Sequence, residues 1–461
     1  MQPSDFACLT APVPPVTAKQ KSKCCFREKH DFLLKKRRIS AIMKGLNAAG
    51  CPGRTEMQER VPLFMLLIAN AAIYDAAARG FFRGDLLLEG GRIAEVSRGI
   101  SARREKLPDG AVLDVGGRTV LPGLVDIHTH GRAGGDFGSA DSAMLEQMLA
   151  SYLASGVTTV LPTLASAEPT ALREAIRRIG EAAAQESDPS LAGRRAHIAG
   201  VHLEGRYLNP AKRGAHAPEL LAPLDADELE GFLRAMPGVR HVTAALELDA
   251  DGSFLRRALS CGATVGLGHS MATYEQAMRA FADGATAVTH LYNALPPLHH
   301  RAGGAVCAAL LSPDISCELI CDGFHIAPEM VRLAATLKRE RLVLITDSME
   351  ATGCPDGEYR IAGMPVTVKD GKARTHDGAI AGSTLSLLDG VRNYAAFAGV
   401  SFGTAVYAAT MAPAIEVGLE HEIGSLEPGK RADLLILNAD GTPAQVMCGG
   451  VFCGSANRGA V

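Results

Sequence analysis

From about residue 66 onward, short apolar runs recur at intervals that leave room for a turn or a helix between them. Residues 66–70, 85–89 and 92–96 have the composition of strands, and Gly90-Gly91 between the last two fits a hairpin turn. Residues 112–120 continue this β-rich pattern, and 121–127 form a mostly apolar strand of the kind buried on both faces. Beyond it, apolar strands at 158–162, 197–203, 241–247, 264–268, 287–290, 316–321 and 342–347 alternate with amphipathic helices at 142–155, 170–185, 227–236, 274–282 and 328–339. Repeated strand–helix units with buried strands favour a parallel sheet, and about eight of them close a (β/α)8 TIM-like barrel. A doubly wound open sheet is the competing α/β arrangement. After Asp347 the alternation breaks: 358–375 looks like a hairpin insertion with Asp370-Gly371 at its turn, helices resume at 385–398 and 403–411, and 423–437 looks like strands again. The β-rich segments before and after the barrel are expected to pack as one small discontinuous β-sandwich. The expected division is an N-terminal extension at 1–62, the first part of the small β domain at 63–120, the barrel at 121–410, and the second part at 411–461.

Composition narrows this picture. The chain has 461 residues, 47% hydrophobic and 21% charged, which is ordinary for a globular enzyme and ample for a core. A formal net charge of -3 gives no global field for nucleic acid or for a membrane surface. No apolar run reaches the roughly 18 residues that span a bilayer. Eleven cysteines without metal-finger spacing read as free thiols in a reducing compartment, so a cytoplasmic location is expected. Cys317 and Cys321 lie in a strand run and read as buried small hydrophobes. Residues 1–62 stand apart: they carry Lys35-Lys36-Arg37-Arg38, little periodicity and no signal-peptide pattern, and read as a basic, disordered extension. Asp5, Glu28 and Asp31 weigh against a transit peptide, and Met43, Met57 and Met65 are later candidate starts.

The chemistry lies where the apolar strands end, which is where barrel enzymes build their sites. The first strand ends in His128-Thr129-His130, and the i, i+2 spacing points both imidazoles to one face, so that they can share a metal. Alone, such a pair could as well be two surface histidines. Other strand ends deliver Glu204, His269, His290 and Asp347. Five strands placing imidazoles and carboxylates at the same end suits zinc, iron or manganese and marks a site. A divalent metal acidifies water and polarises a carbonyl. Asp347, a lone carboxylate after an apolar strand, is placed to take the proton and pass it to a leaving amine; its alternative role is a helix cap with Ser348.

The run from Pro122 to His130, Pro-Gly-Leu-Val-Asp-Ile-His-Thr-His, resembles the first-strand signature of the amidohydrolase superfamily. His202-Leu203-Glu204-Gly205, the stretch from Asn209 to His216, Gly268-His269-Ser270, Thr289 to Ala294, and Thr346 to Met349 are together similar to the N-acetylglucosamine-6-phosphate deacetylase family, over roughly residues 63 to 440. The resemblance implies a deacetylase of amino-sugar phosphates that binds one or two divalent ions per subunit, with zinc or iron foremost and manganese or cobalt admitted. It implies that Glu204, His269 and His290 hold the main metal, with Glu204 bridging to a second ion at His128 and His130. Asp347 would be general base and then acid, and His216 would polarise the acetyl carbonyl. Asn293, Ala294, Arg301 and His325 would hold the sugar phosphate, with Arg301 reaching into a neighbouring subunit of a homodimer. No nucleic-acid or membrane partner is implied.

The chain also departs from the family pattern. Arg206 stands where the family reads Pro, Leu246 where it reads Pro, and Met271 at a usually polar position, while the turn at Arg301-Ala302-Gly303-Gly304 has fewer prolines. Arg206 puts a cation two residues from a metal ligand, where it would weaken metal binding or alter substrate choice. The alternatives are an N-acetylgalactosamine-6-phosphate deacetylase, a cyclic-amidase or dipeptidase-type amidohydrolase, and a non-catalytic barrel. Many amidases bridge their metals with a carboxylated lysine where this chain has Glu204, and a scaffold would have lost its ligands.

Overall fold

A computed structural model describes residues 65–108, 111–235 and 238–454. The extension at 1–62, expected to be basic and disordered, lies outside the described residues.

Eight parallel strands form a nearly closed barrel: β1 (Leu124–Thr129), β2 (Val157–Leu164), β3 (Val201–Glu204), β4 (Val239–Ala244), β5 (Thr264–Leu267), β6 (Ala287–Val288), β7 (Ser316–Ile320) and β8 (Leu342–Ile345). All of β1, β2, β3, β7 and β8 is buried, because both faces are covered, by helices outside and by side chains within. Ladders connect every neighbour from β1 round to β8. Between β8 and β1 there is no ladder. That seam is held by Asp126, which accepts from the Thr346 hydroxyl at 2.7 Å and its amide at 3.4 Å, and by the Asp347 amide donating to the His128 carbonyl at 2.9 Å.

The helices fall close to where periodicity puts them, at Ser142–Ala154, Pro169–Ala184, Ala226–Leu233, Tyr274–Ala282 and Pro328–Lys338. Tyr274–Ala282 opens on a capping box between Thr273 and Gln276, the local signal that sets its first residue. Several strands differ from expectation, and the run expected over 121–127 is split between Thr119–Pro122 in the outer mixed sheet and Leu124–Thr129 in the barrel. The run 197–203 is broken into His197–Ile198 and Val201–Glu204, because Gly200 takes φ 143°. The strand expected over 241–247 stops at Ala244 and turns into a 3-10 segment at Leu246–Leu248, the Ala245 amide leaving the ladder for the Tyr207 carbonyl.

Outside the barrel, eight strands form one mixed sheet drawn from both ends of the described chain. Leu434–Leu437 runs antiparallel to Thr119–Pro122, and Thr119–Pro122 pairs in parallel with Met65–Asp75, so strands from distant parts of the sequence are neighbours. Ile68, Ile73, Leu86, Val120, Leu434 and Met447 fill one side of this sheet. Helix Met411–Glu416 packs instead with the barrel, where Ala412 and Ala414 meet Val125, Ile127, Val343 and Ile345. The expected insertion is a three-stranded antiparallel sheet, Gly357–Ile361, Met364–Lys369 and Lys372–Thr375.

Candidate active site

The C-terminal ends of β1, β3, β5, β6 and β8 converge on Glu204. Its two oxygens face different partners. Oε1 lies 3.0 Å from His290 Nε2 and 3.3 Å from His269 Nε2. Oε2 lies 2.9 Å from His130 Nε2 and 3.3 Å from His128 Nε2. Asp347 Oδ1 stands on the same side, 3.2 Å from His130 Nε2 and 3.7 Å from His128 Nε2. All six residues are buried.

The donor chemistry of this cluster fits divalent cations. His269 Nδ1 is 2.7 Å from the Lys212 carbonyl, which only accepts, so the ring proton sits on Nδ1 and Nε2 presents a lone pair. That nitrogen is 3.0 Å from His290 Nε2 and faces Glu204 as well. Two imidazole nitrogens and a carboxylate oxygen within about 3 Å of one another match what a tetrahedral ion with ~2.0–2.2 Å bonds gathers. Two triads of ligand atoms, His128–His130–Asp347 and Glu204–His216–His269, each lie within 4.8 Å.

Electrostatics agree. Burial pushes the Glu204 carboxyl up, but the His128 charge, with the His130 and His269 rings close by, outweighs it and holds it well below the usual carboxylate range. Asp347 is likewise pushed up by burial and pulled below its ordinary value by His130 and His128. Burial lowers His130, yet Asp347 and Glu204 raise it to about 9. Carboxylates this buried demand positive charge beside them, as imidazolium protons or as a metal ion that displaces those protons.

His216 is different. Its Nδ1 lies 3.3 Å from the Ser166 amide, which can only donate, and 2.9 Å from the Ser166 hydroxyl. Nδ1 therefore accepts, and the ring proton of the neutral imidazole is on Nε2, 3.9 Å from Glu204 Oε2. Burial, with His269 close by, drives its pKa down to about 3, so the ring stays neutral. Although His216 is near enough to complete a ligand triad, its Nε2 points a proton into the site.

The remaining expected residues are less closely gathered. Asn293 sits one turn beyond His290 and donates to the His290 and Leu291 carbonyls at 3.3 and 3.4 Å. Ala294 takes φ 50° and accepts from the Ser270 amide at 3.2 Å. His325 is held by Asp322 Oδ2 at 2.7 Å. Arg301 is exposed, outside the cluster. Arg206 Nε binds Glu228 Oε1 at 2.8 Å, so the expected extra cation near Glu204 is paired with a carboxylate. Leu246 is buried, and Met271 is exposed with its amide bound to Glu247.

Sequence reasoning missed Ser166 and the carbonyl of Lys212, both of which fix ring protons from loops distant in the chain. It also missed the backbone: His269, His290, Tyr292, Ala294, Asp347 and Arg206 all have positive φ without being glycine. Such strain concentrates where side chains must be aimed.

A metal-type cluster at the C-terminal mouth of a parallel barrel is the hallmark of metal-dependent hydrolases of this architecture. The chain belongs to the amidohydrolase family, whose profile matches residues 119–453. It is 36% identical over 323 residues to the N-acetylglucosamine-6-phosphate deacetylase of Vibrio furnissii, covering 70% of this chain and 79% of that one. It is 35% identical over 345 residues to the N-acetylgalactosamine-6-phosphate deacetylase of Escherichia coli O157:H7, covering 75% and 90%. Among solved structures, N-acetyl-D-glucosamine-6-phosphate deacetylase from Mycobacterium smegmatis, a variant in complex with N-acetyl-D-glucosamine-6-phosphate, superposes with a TM-score of 0.75 at 32% identity, covering 84% of this chain and 99% of that one.

Proposed function

We propose that the protein hydrolyses the acetamide of N-acetylglucosamine 6-phosphate to glucosamine 6-phosphate and acetate. The observation that carries this reading is the division of Glu204, with one oxygen toward His269 and His290 and the other toward His128, His130 and Asp347. In this reading His269, His290 and Glu204 would hold the main ion, and His128 and His130 would hold a second beside it. The mixed imidazole–carboxylate set suits zinc or iron, and admits manganese or cobalt. When bound, such an ion acidifies water and polarises a carbonyl.

The chain's own residues do the rest. Asp347 holds its proton at Oδ1, beside His130, taking it from the attacking water and returning it to the leaving amine. His216 donates from Nε2 to the acetyl oxygen, on which negative charge develops. Asn293, Ala294 and His325 line the approach to the sugar phosphate. Arg301 reaches it from a second copy of the chain, its planar fork suited to a phosphate dianion. This makes the working form a homodimer. A cytoplasmic location is part of the same reading, supported by seven free cysteines among the described residues.

The test is acetate release from N-acetylglucosamine 6-phosphate, with and without added zinc or iron, beside the galacto-configured 6-phosphate as a second arm. The Escherichia coli relative's name makes that second arm the specific alternative. Metal-stimulated release from the gluco sugar is expected, and no acetate from it under any metal would sink the proposal. Preferential turnover of the galacto sugar would move the assignment to that epimer.

A further inference from the structure

Beneath the ligand cluster lies a carboxylate that the proposed reaction does not use. Glu318 is on β7, fully buried, between Cys317 and Leu319 in a strand that is otherwise largely apolar. Its Oε2 is 3.0 Å from His128 Nδ1 and 3.2 Å from the backbone nitrogen of His290. Burying a charge here costs several kcal/mol in general, so a carboxylate in such a strand needs a return on that cost.

We propose that Glu318 is a positioning residue that keeps a proton on His128 Nδ1, so that when a cation displaces the positive charge it is Nε2 that offers the lone pair at the His128–His130 position. The His290 amide can only donate, so Glu318 Oε2 acts as an acceptor, and the hydrogen at Nδ1 belongs to the imidazole. His128 Nε2, the atom that faces Glu204 Oε2 at 3.3 Å and Asp347 Oδ1 at 3.7 Å, has no hydrogen-bond partner of its own. Its neighbours there are acceptors, and a cation satisfies all of them together. Outer partners of this kind orient a ligand ring and raise its basicity. The same oxygen also receives the His290 amide, so one carboxylate ties together the segments that deliver His128 from β1 and His290 from the end of β6. His269 has its own anchor in the Lys212 carbonyl, and Glu318 plays the matching part for His128.

The inference rests on the two-ion reading for its consequence, but the ring tautomer can be read independently. The variants are Glu318→Gln and Glu318→Leu. The His290 amide donates toward Oε2 and selects the oxygen of a glutamine side chain at that point, so Gln preserves an acceptor for Nδ1–H while Leu removes it. In zinc-loaded protein labelled with 15N-histidine, native His128 is expected to show an exchange-protected Nδ1–H resonance, kept in the Gln variant and lost in the Leu variant. Zinc affinity of the weaker ion, measured by chelator competition, should fall about 10–100-fold in the Leu variant and stay within a few-fold of native in the Gln variant. Absence of the Nδ1–H resonance from the native protein overturns the proposal. So does a folded Leu variant with native zinc affinity, or a Gln variant as impaired as Leu. Should the Leu variant fail to fold, the native resonance and the Gln variant still decide. The two-ion reading is tested separately by the zinc content of His128→Asn: two ions per subunit there would defeat that reading while leaving the tautomer result intact.

Discussion

At the scale of single residues, the proposed function depends on which nitrogen carries a proton. His216 aims an N–H into the site because Ser166 occupies its other nitrogen, whereas His269 aims a lone pair because Lys212 does the same from the opposite sense. Asp347 is the proton carrier in this scheme. Replacing it with asparagine keeps the shape and removes the base, so Asp347→Asn is expected to retain its metal by elemental analysis while turnover falls by about 10²–10⁴; near-native turnover would remove Asp347 from the mechanism. The residues that bear lone pairs and charge were legible in the chain, because His128, His130, Glu204, His269, His290 and Asp347 each close an apolar run. Ser166, Lys212 and Glu318 were not, since their roles depend on which loop or barrel layer lies opposite a given ring. Non-glycine residues in left-handed conformation carry no compositional mark at all.

At the scale of elements, the barrel strands were readable wherever burial on both faces kept enough of a run apolar to stand out between helices. Their ends were less readable where backbone geometry intervened, as at Gly200 and at Ala245. The helix Met411–Glu416 presents a further case. Its last residue, Glu416, is buried and accepts from the Thr286 hydroxyl at 2.9 Å. Burial raises its carboxyl to about 8, against the partial opposition of Ser316 and Thr286. Because the folded-state value lies above the unfolded one, the folded chain holds the extra proton between roughly pH 4.5 and 8. Its contribution to stability is therefore complete below that window and is lost as pH rises through it. Urea unfolding from pH 5 to 8 should show stability declining, by about 1.4 kcal/mol per unit of effective shift, and Glu416→Gln should flatten the decline. A slope unchanged by that substitution would place the titration elsewhere.

At the scale of the whole molecule, an ion held by the cluster would couple its binding to folding. A ligand present at 100 times its dissociation constant stabilises the native state by about 2.7 kcal/mol. Stripping metal with a chelator is expected to lower Tm by several degrees, with zinc restoring it; a Tm indifferent to both would mean that the cluster binds no ion tightly. The proposed sharing of Arg301 between copies has its own test. Neither Arg301→Ala nor Asp347→Asn homodimers should turn over normally, but mixed dimers contain one site with both residues intact. Recovery of activity on mixing and re-equilibrating the two inactive variants supports the shared site, and no recovery argues for self-sufficient subunits.

The join between β8 and β1, where Asp126 substitutes for a ladder, has a mechanical meaning. His128 and His130 ride on one lip of that join and Asp347 on the other, so any gaping there would change the spacing between the proposed ion ligands and the proposed proton carrier. In the proposed mechanism Asp126 thus acts as a hasp on the site from below. Hydrogen–deuterium exchange should find the amides of Thr346 and Asp347 exchanging faster in Asp126→Ala than in the native chain, with turnover falling in step even though no ligand has been touched.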